Sequence, residues 1–231
     1  MITIRLNGVD VQVREGSTIL EACRLYGVPI PTLCYNEGLK PYGACRLCIV
    51  EIGEGENTRF VSSCTYPVDA GLIIKTHSKR VIQTRKLLIE LLVALCPSSK
   101  TIQDLASKHG VSKIRFKPKY VNCVLCGLCV RVCNEQMDAR AIGFSNRGKY
   151  RKVTTPFNIK SEVCRTCGGC IYICPACQLR CQGTEIQTTL CNACLNISYP
   201  CVDVKDKALC YLDPCASCLL EEKERQKEKK K

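Results

Sequence analysis

The sequence predicts an α+β chain assembled from several small units, and three observations lead to that class. Residues 2–13, ITIRLNGVDVQV, alternate apolar and polar side chains around Asn7-Gly8, the dipeptide best suited to a tight hairpin turn. The stretch from about Ser78 to Leu95, which ends in the apolar run LLIELLVAL, reads as one long helix. Between and after these lie 22 cysteines in 231 residues, grouped at short, repeated spacings.

Each element follows from local chemistry. After the hairpin, STILEACRLYG reads as a helix: Thr18 with Glu21 three residues on makes a capping box, and Gly27 ends it. Ile19, Leu20, Cys23 and Leu25 supply its apolar face, so Cys23 is expected in the core, where a free cysteine packs as a small hydrophobe. IVEIG and TRFVSSC read as strands either side of a polar turn, and GLIIKT as a further strand before the long helix. Cys96-Pro97 stops that helix. TIQDLASKHG forms a shorter one, with Thr101 and Asp104 as its start signal and Gly110 as its end. The basic stretch KIRFKPKY opens the next unit, in which two cysteine motifs enclose a hairpin, AIGFSNRGKYRKVTTPF, turning at Asn146 to Gly148. The final EEKERQKEKKK has no apolar face and reads as a solvated tail. The expected divisions are 1–77, a helical extension 78–116, a unit at 117–176, a cysteine-rich segment 177–220 and the charged tail 221–231.

Composition narrows the function classes. No basic segment leads into an apolar one at the start, so a secreted disulfide framework is not expected, and metal binding in a reducing cytoplasm is. The longest apolar run, Leu87 to Leu95, is interrupted by Glu90 and too short to span a bilayer, so no membrane span is expected. The formal charge of +13 suggests nucleic acid, but that count treats every cysteine as neutral. Three clusters held by four thiolates each, at roughly −2 apiece, would bring it to about +7.

The first cysteine constellation is Cys34-x10-Cys45-x2-Cys48-x15-Cys64. A loop ligand, a close pair and a distant fourth thiolate are how a small β-rich domain wraps a [2Fe-2S] cluster, and these spacings do not match a pair of zinc knuckles. Gly43 and Ala44 allow backbone N–H groups to approach the sulfurs, and the compact loop from Tyr35 to Gly43 limits solvent. The second run is Cys123-x2-Cys126-x2-Cys129-x3-Cys133, and the third is Cys164-x2-Cys167-x2-Cys170-x3-Cys174-Pro175. Each is the bacterial ferredoxin run, in which the fourth cysteine ligates the other cluster. One [4Fe-4S] cubane is therefore expected on Cys123, Cys126, Cys129 and Cys174, and the other on Cys164, Cys167, Cys170 and Cys133. Gly127, Gly168 and Gly169 let the chain curl inward there. Taken alone, Cys170-x3-Cys174-x2-Cys177 has the spacing of a radical S-adenosylmethionine site, but Cys170 and Cys174 are already committed and no barrel follows.

The segments PTLCYNEGLKPYGACRLCIVEI and VSSCTYPV resemble the plant-type ferredoxin domain. More narrowly, they resemble the version that opens the large iron-sulfur subunit of respiratory NADH dehydrogenase and the diaphorase small subunit of soluble NAD-linked hydrogenases. The resemblance implies a β-grasp fold for the first domain and ligand roles for Cys34, Cys45, Cys48 and Cys64 only; the two later runs predict a bacterial two-[4Fe-4S] ferredoxin domain after it. The resemblance also implies an iron-sulfur electron-transfer subunit whose partners are a flavin- and NAD(P)-binding subunit and a further redox subunit of hydrogenase, formate dehydrogenase or transhydrogenase type. Some such complexes carry out electron bifurcation. One departure stands out. Members of that family usually carry a cluster bound by one histidine and three cysteines after the long helix, whereas LLVALCPSSKTIQDLASKHGV offers Cys96 and His109 alone, so that cluster is expected to be missing.

The tail holds Cys177, Cys181, Cys191, Cys194, Cys201, Cys210, Cys215 and Cys218. Cys191 and Cys194 with Cys215 and Cys218 match a four-cysteine zinc site that would staple a segment poor in core, with a further iron-sulfur cluster as the competing reading. No dinucleotide fingerprint, phosphate loop or nucleophile triad is present, so electron transfer without a substrate site leads. An independent multi-cluster ferredoxin is the nearest alternative. A zinc-based nucleic-acid-binding protein would use the basic KIRFKPKY and RGKYRK stretches, but aromatic side chains for base stacking are sparse.

Overall fold

Residues 1–119, 123–159 and 161–176 are described by the computed structural model of the chain. They divide into two compact units, one running from Met1 and including Val124–Gly127, the other taking in Cys123 and the chain from Leu128.

In the first unit, β1 (Ile2–Leu6) and β2 (Val9–Val13) form the antiparallel hairpin, closing at Leu6 opposite Val9. Asn7 and Gly8 both adopt positive φ, 52° and 90°, which a two-residue hairpin turn requires. The alternation then places Ile4, Leu6 and Val13 on the buried face. Helix α1 (Ile19–Leu25) starts on the expected capping box: Thr18 Oγ1 accepts from Glu21 N–H at 3.2 Å, and Thr18 N–H donates to Glu21 Oε2 at 2.7 Å. Ile19, Ala22 and Cys23 pack against Ile4, Val50 and Ile74 in one core, so Cys23 is a core residue as its spacing predicts.

Strands β3 (Ile49–Ile52) and β4 (Arg59–Ser62) pair antiparallel, and β5 (Ile73–Lys75) inserts between β3 and β1, parallel to β1. The sheet order is β2-β1-β5-β3-β4. All four residues of β3 are buried, as befits a strand with neighbours on both edges and packing on both faces.

Helix α2 (Lys79–Leu95) is capped by Ser78, whose hydroxyl accepts from Val81 N–H at 3.2 Å. It buries Val81, Arg85, Ile89 and Leu92, one stripe at helical spacing. Helix α3 (Lys100–Lys108) differs from expectation at its start: Ser99, not Thr101, is the cap, accepting from Ile102 N–H at 3.3 Å. Thr101 lies inside the first turn because Ser99 sits closer to the break made by Pro97 and satisfies the same orphan donor earlier. Gly110, with φ of 64°, ends the helix as predicted. The basic stretch beyond it returns to α2, where Arg115 pairs with Glu90 at 2.8 Å and Lys119 N–H donates to Ala94 O at 2.7 Å.

The second unit has short elements. Helix α4 (Leu128–Arg131) runs into a π-helical turn at Val132–Gln136; β6 (Gly143–Ser145) pairs antiparallel with β7 (Lys152–Thr154); and α5 (Gly169–Tyr172) packs against α4 and the π turn. The hairpin is where the sequence puts it, but its connection is wider than an Asn146–Gly148 turn. Asn146 takes φ of 58° and a 3-10 turn over Gly148–Tyr150 follows, so the chain re-enters the sheet only at Lys152. Cys177, Cys181, Cys191, Cys194, Cys201, Cys210, Cys215 and Cys218, with the segment 177–220 and the tail 221–231, lie outside the described residues.

Candidate metal centres

The first four-cysteine set is assembled by three parts of the first unit. Cys34 comes from the loop after α1, Cys45 and Cys48 from the approach to β3, and Cys64 from just beyond β4. Cys34, Cys48 and Cys64 are buried and Cys45 is half-buried. Cys48 and Cys64 lie sulfur to sulfur at 3.4 Å under Leu20 of α1, and Cys45 N–H points at the Cys34 sulfur at 3.4 Å. Helix α1 is tied to this site by its own first turn, since Leu20 N–H donates to Ser63 O at 2.9 Å and Ile19 N–H to Tyr66 O at 3.0 Å. The capping box at Thr18 thus sets the height of the lid residue Leu20.

The thiols are arranged in two pairs. A hydrogen bond from Cys45 holds the Cys34 thiol well below its ordinary pKa, and one from Cys64 does the same for Cys48, while both donors are pushed far up. The hydroxyls of Ser62 and Ser63 are buried, and both help to hold the Cys48 thiol down. Four converging sulfurs with buried O–H donors beside them suit anionic sulfur, and a [2Fe-2S] cluster would add two sulfides to the four cysteine thiolates. At Gly43 an added Cβ would lie 3.3 Å from Thr65 Cγ2, and the residue has φ of 69°, so this turn beside the pair Cys45 and Cys48 accepts only glycine without strain.

In the second unit, Cys133, Cys164, Cys167 and Cys170 line one pocket, walled on its other sides by Val132, Met137, Ala141 and Ile142. Cys133 comes from the π turn after α4, and the other three come from the loop into α5 and its first turn. The set therefore gathers the fourth cysteine of one run with the first three of the other. Ala141 N–H donates to the Cys133 sulfur at 3.3 Å. Burial, with smaller contributions from Cys167, Cys133 and Cys164, pushes the Cys170 thiol up to about 12. An apolar pocket ringed by four sulfurs fits a compact cluster that itself neutralises the thiolates.

The remaining run cysteines are Cys126, which is buried, and Cys123, Cys129 and Cys174, which are half-buried. Cys129 lies on α4 and Cys174 follows α5. The two runs share a backbone conformation that spacing alone does not reveal: Leu125 and Gly127 take φ of 53° and 74°, and Thr166 and Gly168 take 50° and 72°. A left-handed residue before and after the second cysteine of each run turns successive N–H groups to the inside of the loop, the nest geometry that binds anions. Gly169, grouped with these from sequence, is instead the first residue of α5. Cys96 caps the C-terminus of α2 and is buried; His109 caps α3.

Residues 1–79 match the model of a 2Fe-2S iron-sulfur cluster binding domain, and residues 122–178 match that of a 4Fe-4S dicluster domain. The chain is a three-cluster iron-sulfur protein. It carries one [2Fe-2S] and two [4Fe-4S] clusters, which sets aside the zinc-based nucleic-acid reading.

This iron-sulfur protein is 31% identical over 202 residues to a subunit of an NADH-quinone oxidoreductase of Rhizobium meliloti (strain 1021), covering 76% of this chain and 23% of that one. It is 31% identical over 207 residues to the HndD subunit of the NADP-reducing hydrogenase of Solidesulfovibrio fructosivorans, covering 76% of this chain and 35% of that one. The chain thus spans about a third or less of the curated relatives it matches. A chain in the crystal structure of an NAD+-reducing [NiFe]-hydrogenase in the H2-reduced state superposes with a TM-score of 0.60 at 26% identity, covering 80% of this chain and 87% of that one. The resemblance read from Cys34 to Cys64 is thus to the iron-sulfur module of such proteins. No helix among the described residues is long and apolar enough to cross a membrane.

Proposed function

We propose that the chain is the electron-transfer subunit of a multi-subunit NAD(P)H-linked oxidoreductase, relaying electrons between a flavin- and NAD(P)-binding subunit and a further redox subunit. The carrying observation is the order of a two-iron domain and a two-cubane domain in a chain that covers 87% of a chain of an NAD+-reducing hydrogenase. The partner module is of hydrogenase, formate dehydrogenase or transhydrogenase type, and the setting is cytoplasmic.

The first domain is a β-grasp fold, a reading supported by the mixed sheet with β1 parallel to a central β5. Its [2Fe-2S] ligands are Cys34, Cys45, Cys48 and Cys64. One cubane is held by Cys164, Cys167, Cys170 and Cys133, supported by their common pocket, and the other by Cys123, Cys126, Cys129 and Cys174, supported by the matching loop conformations. Each cluster, when bound, takes up and releases a single electron at little structural cost. The residues around it set how readily it does so: Ser62, Ser63 and the Ala141 N–H offer donors to sulfur, and Leu20 keeps water from the two-iron site. The expected divisions 1–77, 78–116, 117–176, 177–220 and 221–231 stand as the working domain map, with Cys191, Cys194, Cys215 and Cys218 holding zinc or a further cluster.

Anaerobic purification with the native partners tests this. The preparation should contain about ten iron atoms per chain from the three clusters, bleach on addition of NADH through the flavin subunit, and show both two-iron and four-iron signals by electron paramagnetic resonance. A chain that purifies alone and is never reduced by NADH in the presence of its neighbours would sink the reading.

A further inference from the structure

Helix α2 contributes to the first unit's interior a side chain that neither its hydrophobic pattern nor the cluster ligands require. Arg85 is 2% exposed, the largest fully buried side chain among the described residues. Its Nη2 donates to Ile49 O at 2.7 Å, the carbonyl of the residue after Cys48, and its Nε is buried with no hydrogen-bond partner. No carboxylate among the described residues pairs with it. Glu51 is taken by Arg80 and Glu90 by Arg115, each at 2.8 Å. The groups whose charge it feels are Cys48 and Cys23, and the other titratable groups on its side of the unit, His77, His109 and Lys86, add no anion.

A buried guanidinium stays protonated, and leaving it without a counter-charge costs several kcal/mol. One carbonyl acceptor offsets only part of that cost, so a nearby anion would stabilise the group further. The four-thiolate two-iron centre carries about −2 when oxidised and about −3 after taking up one electron, so it supplies the missing counter-charge and supplies more of it when reduced. An apolar residue would complete the Val81, Ile89, Leu92 stripe at no such cost, so packing alone does not explain the arginine.

We propose that Arg85 is the internal counter-ion of the two-iron centre, a positioning residue that raises that centre's reduction potential and leaves the two cubanes unaffected. The inference rests on Cys34, Cys45, Cys48 and Cys64 as the two-iron ligands. Because the guanidinium also grips Ile49 O, it fixes the segment that presents Cys48, so charge and ligand position are set by one side chain.

The test is a mediated redox titration of the full chain, reduced by dithionite and followed by electron paramagnetic resonance. The cubane midpoints serve as internal references. Arg85→Met should lower the two-iron reduced-to-oxidised ratio at fixed solution potential by about tenfold, equivalent to about 59 mV for one electron, with the cubane midpoints unmoved. Arg85→Lys should keep most of the wild-type value, and Arg80→Gln, an exposed residue of the same helix, should not shift it. Cys23→Asp, which sets a carboxylate beside the guanidinium, should lower the midpoint with Arg85 intact. If Arg85→Met fails to take up the two-iron centre while Arg85→Lys takes it up, the need for charge is upheld. If both fail to take it up, or if Arg85→Met loads with an unmoved midpoint, the inference is overturned. A wild-type chain with no reducible two-iron signal, or one whose signal survives Cys48→Ala unchanged, would instead overturn the ligand assignment beneath it.

Discussion

Cys133 and Cys170 line the same pocket although they belong to different cysteine runs. Helices α4 and α5 pack together, and Cys133, just after α4, comes to the pocket formed by the loop into α5. Exchange of ligands between runs predicts that Cys133→Ser and Cys170→Ser alter the same cubane signal, and that Cys126→Ser alters the other. Electron paramagnetic resonance of the three variants checks this. A Cys133→Ser spectrum matching Cys126→Ser would mean that each run holds its own cluster.

Iron removal should affect the two units unequally. The first unit has a continuous core of Ile4, Leu6, Val13, Ile19, Val50, Val68 and Ile74, whereas the second buries a few residues such as Leu128, Ile142, Val153 and Ile171 around three-residue strands. A unit with so little apolar burial relies on metal ligation for its folding free energy. After anaerobic chelation, hydrogen exchange should leave β1, β2 and α2 protected and expose β6 and β7. Equal loss in both units would contradict this account.

Glu51 should make stability depend on pH in one direction. On the buried β3, its carboxylate is held below the ordinary value first by the Ser78 hydroxyl, against a desolvation that would raise it, with Thr58 and Arg80 adding to the effect. A depressed folded pKa stabilises above the unfolded value and is lost as pH falls through the folded one. Arg80 is exposed, so the contribution is discounted for solvent. Glu51→Gln should cost about 1 kcal/mol at about pH 7, and the gap should close below about pH 4. Thermal unfolding of both proteins at the two pH values measures it; a gap that widens in acid would refute the assignment.

Cys23 and the ligand cysteines should respond differently to substitution. Burial pushes the Cys23 thiol up to about 11, so it remains neutral and apolar in the core. Cys23→Ala should cost about 1–2 kcal/mol of stability through lost packing and leave iron content unchanged. Cys34→Ala should remove the two-iron signal and leave both cubane signals. Iron analysis and the same spectra distinguish the two.

Local rules explain which parts are legible in sequence. Asn7-Gly8, the Thr18–Glu21 box and the Gly110 stop act within a few residues, so their chemistry is written in the string and the structure repeats it. The start of α3 is ambiguous in the string because Ser99 and Thr101 are both competent caps, and the choice depends on where Pro97 releases the chain. The wider β6–β7 connection has the same origin, since Asn146 and Gly148 permit several turns. Cysteine spacing announces the clusters, but the left-handed Leu125 and Thr166 carry no compositional signal; only the repeated position two residues before a glycine hints at them. Arg85 is least legible. An arginine four residues from Val81 and Ile89 reads as the edge of a helix's polar face, and only the fold shows that it points inward.

The parallel pairing of β1 with β5 also orders events in time. Arg5 N–H donates to Leu72 O at 2.9 Å and Asn7 N–H to Ile74 O at 2.8 Å, joining the first strand to a segment reached only after all four cysteines of the first set have been passed. Contacts so far apart in the chain form late, because their loop entropy must be met before they contribute. During synthesis all four cysteines of the first set therefore leave the ribosome before Leu72 to Lys75, the segment whose pairing completes the five-stranded sheet.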